Sequence, residues 1–300
     1  MVNNYNPFVN PKLIEKCQKT WESCLDDIVK KGYTIIHKET ENKTRYSIIR
    51  KDSNKPAKNI IYYLHGGIYI FPLTNDNQLY AYEFCDLRDD IEVVLLDYDT
   101  APKFKYPTQL NQAIEVWNIL TKDHRPEDII VGGNSSGGNL SLALTLKLIK
   151  EYNVSPKACI LISPWTDMTC SGKSYRERYH IDPVLGELNT PLTEEKKEKF
   201  KNSEFFCYIG DADRKDPYVS PIYGDYSTFP KCLFTVGTNE MLLDDTLVIV
   251  EQLKKHGNDV ELFLKEGMFH DFPLFYQEFA EAMEGFNKIK EFIIQTIDNK

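Results

Sequence analysis

Residues Gly133-Asn134-Ser135-Ser136-Gly137 match G-x-S-x-G, a spacing that nucleophilic acyl chemistry explains. A serine hydroxyl is presented best on a sharp strand-to-helix turn. Glycines two places before and after it let neighbouring backbone approach without clash. The run Ile129-Ile130-Val131 precedes the motif, and Leu140, Leu142 and Leu144 follow it, so a strand and a helix are expected on its two sides. The stretch also reads as an ordinary glycine turn whose serine only caps a helix. Partners elsewhere in the chain have to separate the two readings.

A serine nucleophile needs a base, and six histidines are available: His37, His65, His124, His180, His256 and His270. His37 lies in an early strand, His124 in a polar loop, His180 in a segment without strand character, and His256 near a helix end, where a positive charge is favourable. His270, in KEGMFHDFP, follows a strand candidate. In an open α/β sheet reactive groups gather at the carboxyl ends of strands, and Ser135 and His270 both fall there. The base in turn needs an acid to hold its tautomer. Glu240, in the loop after KCLFTVG, is the expected acid. Asp244 is in reserve, because Asp244 and Asp245 sit where a helix begins and can cap amides instead. Donors for a tetrahedral oxyanion are expected from His65-Gly66-Gly67-Ile68, through the backbone of Gly66, Gly67 and Ile68, joined by the Ser136 amide. In that arrangement His65 bonds loop backbone and takes no proton. The Ser136 side chain could be alanine without loss of that amide donor.

These groups need a frame, and the chain supplies a rhythm that can build one. Buried-type strand runs (NIIYYL, EVVLLD, DIIVGG, KACILI, KCLFTV, VELFLK) alternate with helical patterns from residue 59 onward. Such alternation implies βαβ units and a mostly parallel sheet with helices on both faces. YTIIHK and RYSIIRK look like an antiparallel pair. Pro11–Gly32 has the apolar spacing of an amphipathic helix, YAYEFCDLRD reads as a helix, and the last thirty residues read as helical. Residues 170–215 lack a strand run and carry TPLTEEKKEKFKNSEFF, where Thr190 or Thr193 can cap a short helix ending in phenylalanines. The expectation is one domain over 1–300, with cap elements at about 1–32 and 170–215.

Composition narrows the function classes. The 300 residues are 42% hydrophobic with a net charge of −9. A sizeable core is therefore available, and the acidic balance argues against nucleic acid as the main partner. The first residues show no apolar h-region, and no run is long enough to span a bilayer. The seven cysteines are scattered, with no CxxC pair. A cytoplasmic protein with reduced thiols and no membrane partner is expected. No P-loop, dinucleotide loop or zinc spacing occurs, so neither cofactor nor metal is expected. DADRKD at 211–216 departs from a calcium loop in the place of its third acid and in lacking the glycine, and reads as a solvated turn.

Taken together, these motifs resemble the α/β-hydrolase fold and, within it, the hormone-sensitive-lipase-like carboxylesterases, over roughly residue 55 to the C-terminus. HGGI is similar to that family's HGGG, and GNSSGGNL to its GDSAGGNL. DYDTAPKFKYP, ISPWTD and DPYVSPIYGD are similar to further ordered stretches, and GTNEMLLDD and FHDF match its acid and base regions. The resemblance implies a Ser135–His270–Glu240 triad beneath a cap formed by the N-terminus and the insert. Three departures stand out. Ile68 replaces the third glycine and narrows the pocket, Asn134 replaces an aspartate, and Glu240 replaces the usual aspartate.

The expected activity is hydrolysis of short- to medium-chain esters through an acyl-enzyme. Peptidase or amidase chemistry on the same fold is the alternative. A non-catalytic ligand-binding protein is a third reading, which the presence of His270 opposes. The expected partner is a small ester; a homodimer is compatible with the sequence, which does not fix the oligomeric state. Tyr69, Phe71, Trp165, Phe205, Phe206 and Phe272 are candidates for an apolar acyl pocket or for core.

Overall fold

The computed structural model describes residues 28–53 and 56–298. Eight strands form one sheet: β1 (Tyr33–Glu39), β2 (Arg45–Lys51), β3 (Asn59–Leu64), β4 (Ile91–Asp97), β5 (Ile129–Asn134), β6 (Ala158–Ile162), β7 (Lys231–Gly237) and β8 (Val260–Lys265). Their spatial order is β1-β2-β4-β3-β5-β6-β7-β8. β2 is antiparallel to β1 and β4, and every pairing from β4 to β8 is parallel. This is the α/β-hydrolase architecture.

The central strands are apolar on both faces because helices cover both. Ile60, Tyr62 and Leu64 of β3 point into one core with Trp117 of α2 (Thr108–Leu120), Leu140 of α3 (Ser136–Lys147) and Ile249 of α6 (Leu243–Lys255). Ile61 and Tyr63 point into the other, with Phe84 of α1 (Asn75–Cys85) and Phe286 of α7 (Ala280–Asp298). Each such large apolar side chain contributes about 1.5–3 kcal/mol on burial. No described helix is long and apolar enough to cross a membrane.

Between β6 and β7 the insert contains two short helices, α4 (Ser174–Glu177) and α5 (Glu194–Lys201), and a 3₁₀ segment at Glu204–Ile209. Thr193, rather than Thr190, caps α5, its hydroxyl accepting the Lys196 amide at 3.3 Å. Phe206 anchors the insert, packing edge-on against Trp165 at 5.3 Å and under the Arg214 guanidinium at 4.6 Å.

Three expectations change. α1 begins at Asn75, ahead of the expected run, where the Thr74 amide donates to Asn77 Oδ1 at 3.0 Å. The last thirty residues are not helical throughout: Pro273 lies in a 3₁₀ turn at Phe272–Phe275, and α7 starts only at Ala280. The helix expected over 11–32 falls mostly outside the described residues, and its last five residues are not helical.

Candidate active site

The sheet order determines which loops meet. β3 and β5 are neighbours, with Leu64 opposite Gly133, so the His65-Gly66-Gly67-Ile68 loop leaves the sheet beside the Ser135 turn. β7 and β8 are also neighbours, so the loops carrying Glu240 and His270 emerge together. β6 lies between the two pairs: its last residue, Ile162, accepts the Ser135 amide, and the next, Ser163, donates to Glu240.

Ser135 has φ 53° and ψ −122°, a strained conformation for a residue with a Cβ. The surroundings hold it there. Its amide donates to the Ile162 carbonyl at 2.9 Å, and its carbonyl accepts the Trp165 amide at 3.0 Å. The flanking glycines serve close approach: a Cβ on Gly137 would lie 2.0 Å from the Leu64 oxygen, and one on Gly133 2.4 Å from the same atom.

Glu240 is completely buried. Its Oε1 accepts from the Gly237 amide at 2.6 Å and the Ser163 hydroxyl at 2.8 Å. Its Oε2 lies 3.4 Å from His270 Nδ1, a loose contact of the kind that tightens when substrate is bound. Burial pushes the carboxyl well above its ordinary range, against the Gly237 amide and with help from nearby Asp182. Asp244, the reserve acid, faces elsewhere: its carboxylate accepts the Ser174 amide of the insert at 3.0 Å, because it occupies the first turn of α6. Asp245 accepts the Thr166 and Asp167 amides.

Three polar residues beside His270 were not among the expected site residues. Ser163 donates to Glu240 and accepts the Asp271 amide at 3.1 Å. Its place in ISPW, after a strand, was the available signal. Asp182, from the insert, is fully buried and accepts the Met241 amide at 2.9 Å and the Val184 amide at 3.0 Å. Burial raises its pKa, against the pull of nearby His270. Asp271 places Oδ2 3.5 Å from His270 Nε2, and burial lifts its pKa to about 6.

In the loop after β3, Gly67, Ile68 and Tyr69 have successive φ values of 117°, 51° and 60°. A β-branched residue in that region is a genuine outlier. The bend is pinned by the Tyr69 amide, which donates to Ser136 Oγ at 3.2 Å, and by the Tyr69 hydroxyl on Asn139 Oδ1 at 2.7 Å. The Ser136 hydroxyl therefore also holds the loop, a role beyond that of its backbone amide. The Gly66 amide, one of the expected oxyanion donors, is spent on Asn134 Oδ1 at 2.9 Å. The amides of Gly67, Ile68 and Ser136 have no acceptor among the described residues. His65 donates through Nδ1 to the Gly66 carbonyl at 2.7 Å and stacks on Tyr98 at 4.0 Å. Burial lowers its pKa to about 4, so it stays neutral and structural.

Ser135 opens on a narrow apolar chamber of about 20 Å³ walled by Ile68, Trp165, Tyr175, Leu185, Phe205 and Met241. Trp165 and Phe205 thus line it. Of the other aromatic candidates, Tyr69 stacks on Tyr208 at 3.6 Å, Phe206 packs behind Trp165, and Phe71, half-buried, packs against the larger core. Phe272 belongs to a separate cluster with Met268 and Ala282. In the 211–216 turn, the Asp213 and Asp216 carboxylates accept the Lys215 and Tyr218 amides.

The chain is similar to known proteins. Residues 61–274 match the model of the alpha/beta hydrolase fold family. An esterase of Acinetobacter venetianus is 31% identical over 79% of this chain and 75% of its own length. An ethyl acetate hydrolase of Pseudomonas putida is 26% identical, covering 78% of this chain and 72% of its own. Among solved structures, an esterase from the bacterial hormone-sensitive lipase family superposes with a TM-score of 0.80 at 24% identity. That match covers 95% of this chain and 90% of the other.

Proposed function

This chain belongs to the alpha/beta hydrolase fold family, and from that premise we propose a serine carboxylesterase acting on short- to medium-chain esters. The observation that carries the reading is the convergence of Ser135, His270 and Glu240 on the carboxyl edge of one sheet, beside a loop with free amides. In the proposed cycle His270 Nε2 takes the Ser135 proton as the oxygen attacks the ester carbonyl. The proton is then given to the departing alcohol. Glu240 holds the Nδ1 proton and stabilises the imidazolium. The amides of Gly67, Ile68 and Ser136 receive the oxyanion, a contribution on the order of 2.7–4 kcal/mol per donor in comparable sites. Water then releases the acid by the reverse sequence.

The chamber supports the substrate class. It is narrow, which favours short acyl chains, and its walls offer only apolar surface to them. The insert supplies Leu185 and Phe205 to those walls, which supports its role as a cap element over a single catalytic domain. The test is a p-nitrophenyl ester series from acetate to dodecanoate, with p-nitroacetanilide beside it, on wild type and Ser135→Ala. Butyrate or hexanoate should be preferred, the anilide barely cleaved, and Ser135→Ala inactive. Equal rates for the two proteins would remove the nucleophile, a dodecanoate optimum the size assignment, and faster anilide cleavage would favour an amidase.

A further inference from the structure

Asn134 is tied to three elements at once. Its Oδ1 accepts from the Gly66 amide at 2.9 Å and from the Tyr63 hydroxyl at 3.1 Å. Its Nδ2 donates to Asp271 Oδ2 at 2.7 Å. The orientation of the amide follows from its partners, since a backbone N–H can only donate, so the oxygen faces Gly66 and the NH₂ faces the carboxylate. The contact is closely fitted: a Cβ on Gly66 would lie 2.4 Å from Asn134 Nδ2. The three partners belong to the end of β3, the loop with the free amides, and the residue that follows His270.

We propose that Asn134 is a positioning residue, matched to Asp271, that locks the oxyanion loop and the histidine loop to the serine turn. The inference rests on the esterase reading above. The match is one of hydrogen-bond polarity. The aspartate that the resembled family carries at this position would keep the two acceptor bonds through one oxygen. Its other oxygen would meet the Asp271 carboxylate at about the present 2.7 Å, with no proton between them at neutral pH. Two carboxylates that close cannot both ionise, so the bridge would open or take up a proton. Asparagine with aspartate, or aspartate with asparagine, completes the bridge; two aspartates do not.

The test is a polarity swap measured with p-nitrophenyl butyrate. Asn134→Asp should lose kcat on the order of 10²-fold, the effect of moving a catalytic loop by about 1 Å, with KM within about threefold of wild type. Adding Asp271→Asn restores an NH₂ donor facing a carboxylate, and the double variant should recover to within about fivefold of wild type. Its thermal midpoint should recover with it. A double variant no better than Asn134→Asp overturns the proposal, as does a single variant whose kcat stays within threefold or whose loss lies wholly in KM. Should Asn134→Asp not fold, the double variant decides alone: it must fold and turn over. Ser135→Ala in the same assay keeps the failures apart. If it matches wild type, the esterase reading fails; if it is inactive and the swap still does not rescue, only the bridge fails.

Discussion

Replacing Glu240 by glutamine should remove nearly all activity while making the protein more stable at neutral pH. The bonding pattern gives both parts. The glutamine oxygen can keep the two bonds that Glu240 Oε1 accepts, from the Gly237 amide at 2.6 Å and the Ser163 hydroxyl at 2.8 Å. Its NH₂ then faces His270 Nδ1, now 3.4 Å from Oε2. A donor there requires a lone pair on Nδ1, which moves the ring proton to Nε2. An imidazole protonated at Nε2 cannot take a proton from Ser135. The equivalent tautomer error in a serine protease costs about 10⁴ in kcat, and a loss of about 10³–10⁴ is expected here. Stability moves the other way. Burial raises the Glu240 pKa above its ordinary 4.5, so the folded chain binds a proton there more tightly than the unfolded chain, and keeping the carboxylate that His270 needs costs stability at neutral pH. Stability contributed by the carboxyl is full below about pH 4 and is lost as pH rises through the folded pKa. Glutamine escapes that loss. Each tenfold difference in proton affinity between the folded and unfolded chain corresponds to about 1.4 kcal/mol, or roughly 3 °C in a chain of this size. Thermal melts at pH 4, 5.5 and 7.5 should show the variant equal to wild type at pH 4 and above it at pH 7.5. Activity within tenfold of wild type refutes the acid role, and a lower melting point at pH 7.5 refutes the burial argument.

Three further outcomes follow from neighbouring features. Ile68→Gly relieves a strained φ of 51° and removes a wall of the chamber. The ratio of kcat/KM for octanoate over butyrate should rise at least about tenfold, the worth of one or two methylenes in an apolar pocket; an unchanged ratio places the acyl chain elsewhere. Gly137→Ala sets a methyl 2.0 Å from the Leu64 oxygen and 2.4 Å from the His65 oxygen. Because both are backbone atoms, the variant should melt more than about 10 °C lower or fail to fold, and a wild-type melt would contradict the close approach. Neutral His65, with its pKa near 4 against 6.5 unfolded, is a depressed cationic group. The unfolded chain gains a proton below pH 6.5 that the native chain refuses, so about 3 kcal/mol is lost between pH 6.5 and 4. His65→Asn should remove that slope from denaturant titrations, and an identical slope would refute it.

The alternation of apolar runs made the parallel sheet legible, because helices on both faces demand strands such as NIIYYL that are apolar at every position. Strand ends made the loops carrying Ser135, Glu240 and His270 legible too. Helix starts were less so: α1 begins on Asn75 through a local Thr74–Asn77 bond that apolar periodicity does not register. Asp182 was not legible, since it acts through a contact 59 positions away and its residue type is ordinary for a turn; Ser163, 77 positions from Glu240, showed only by its place in ISPW. The Gly66 amide was misassigned for a similar reason. Nothing local shows that Asn134, 68 positions on, has already claimed it.

Whether Ser135 forms the acyl-enzyme can be read directly by covalent capture. Wild type, His270→Ala and Ser135→Ala are incubated with a p-nitrophenyl alkylphosphonate and followed by intact mass and peptide mapping. One adduct per chain is expected on Ser135 in the wild type, with formation slowed at least about 10³-fold in His270→Ala and no adduct in Ser135→Ala. An adduct formed at equal rate in Ser135→Ala, or one mapped to another residue of the wild type, would mean that Ser135 is not the nucleophile.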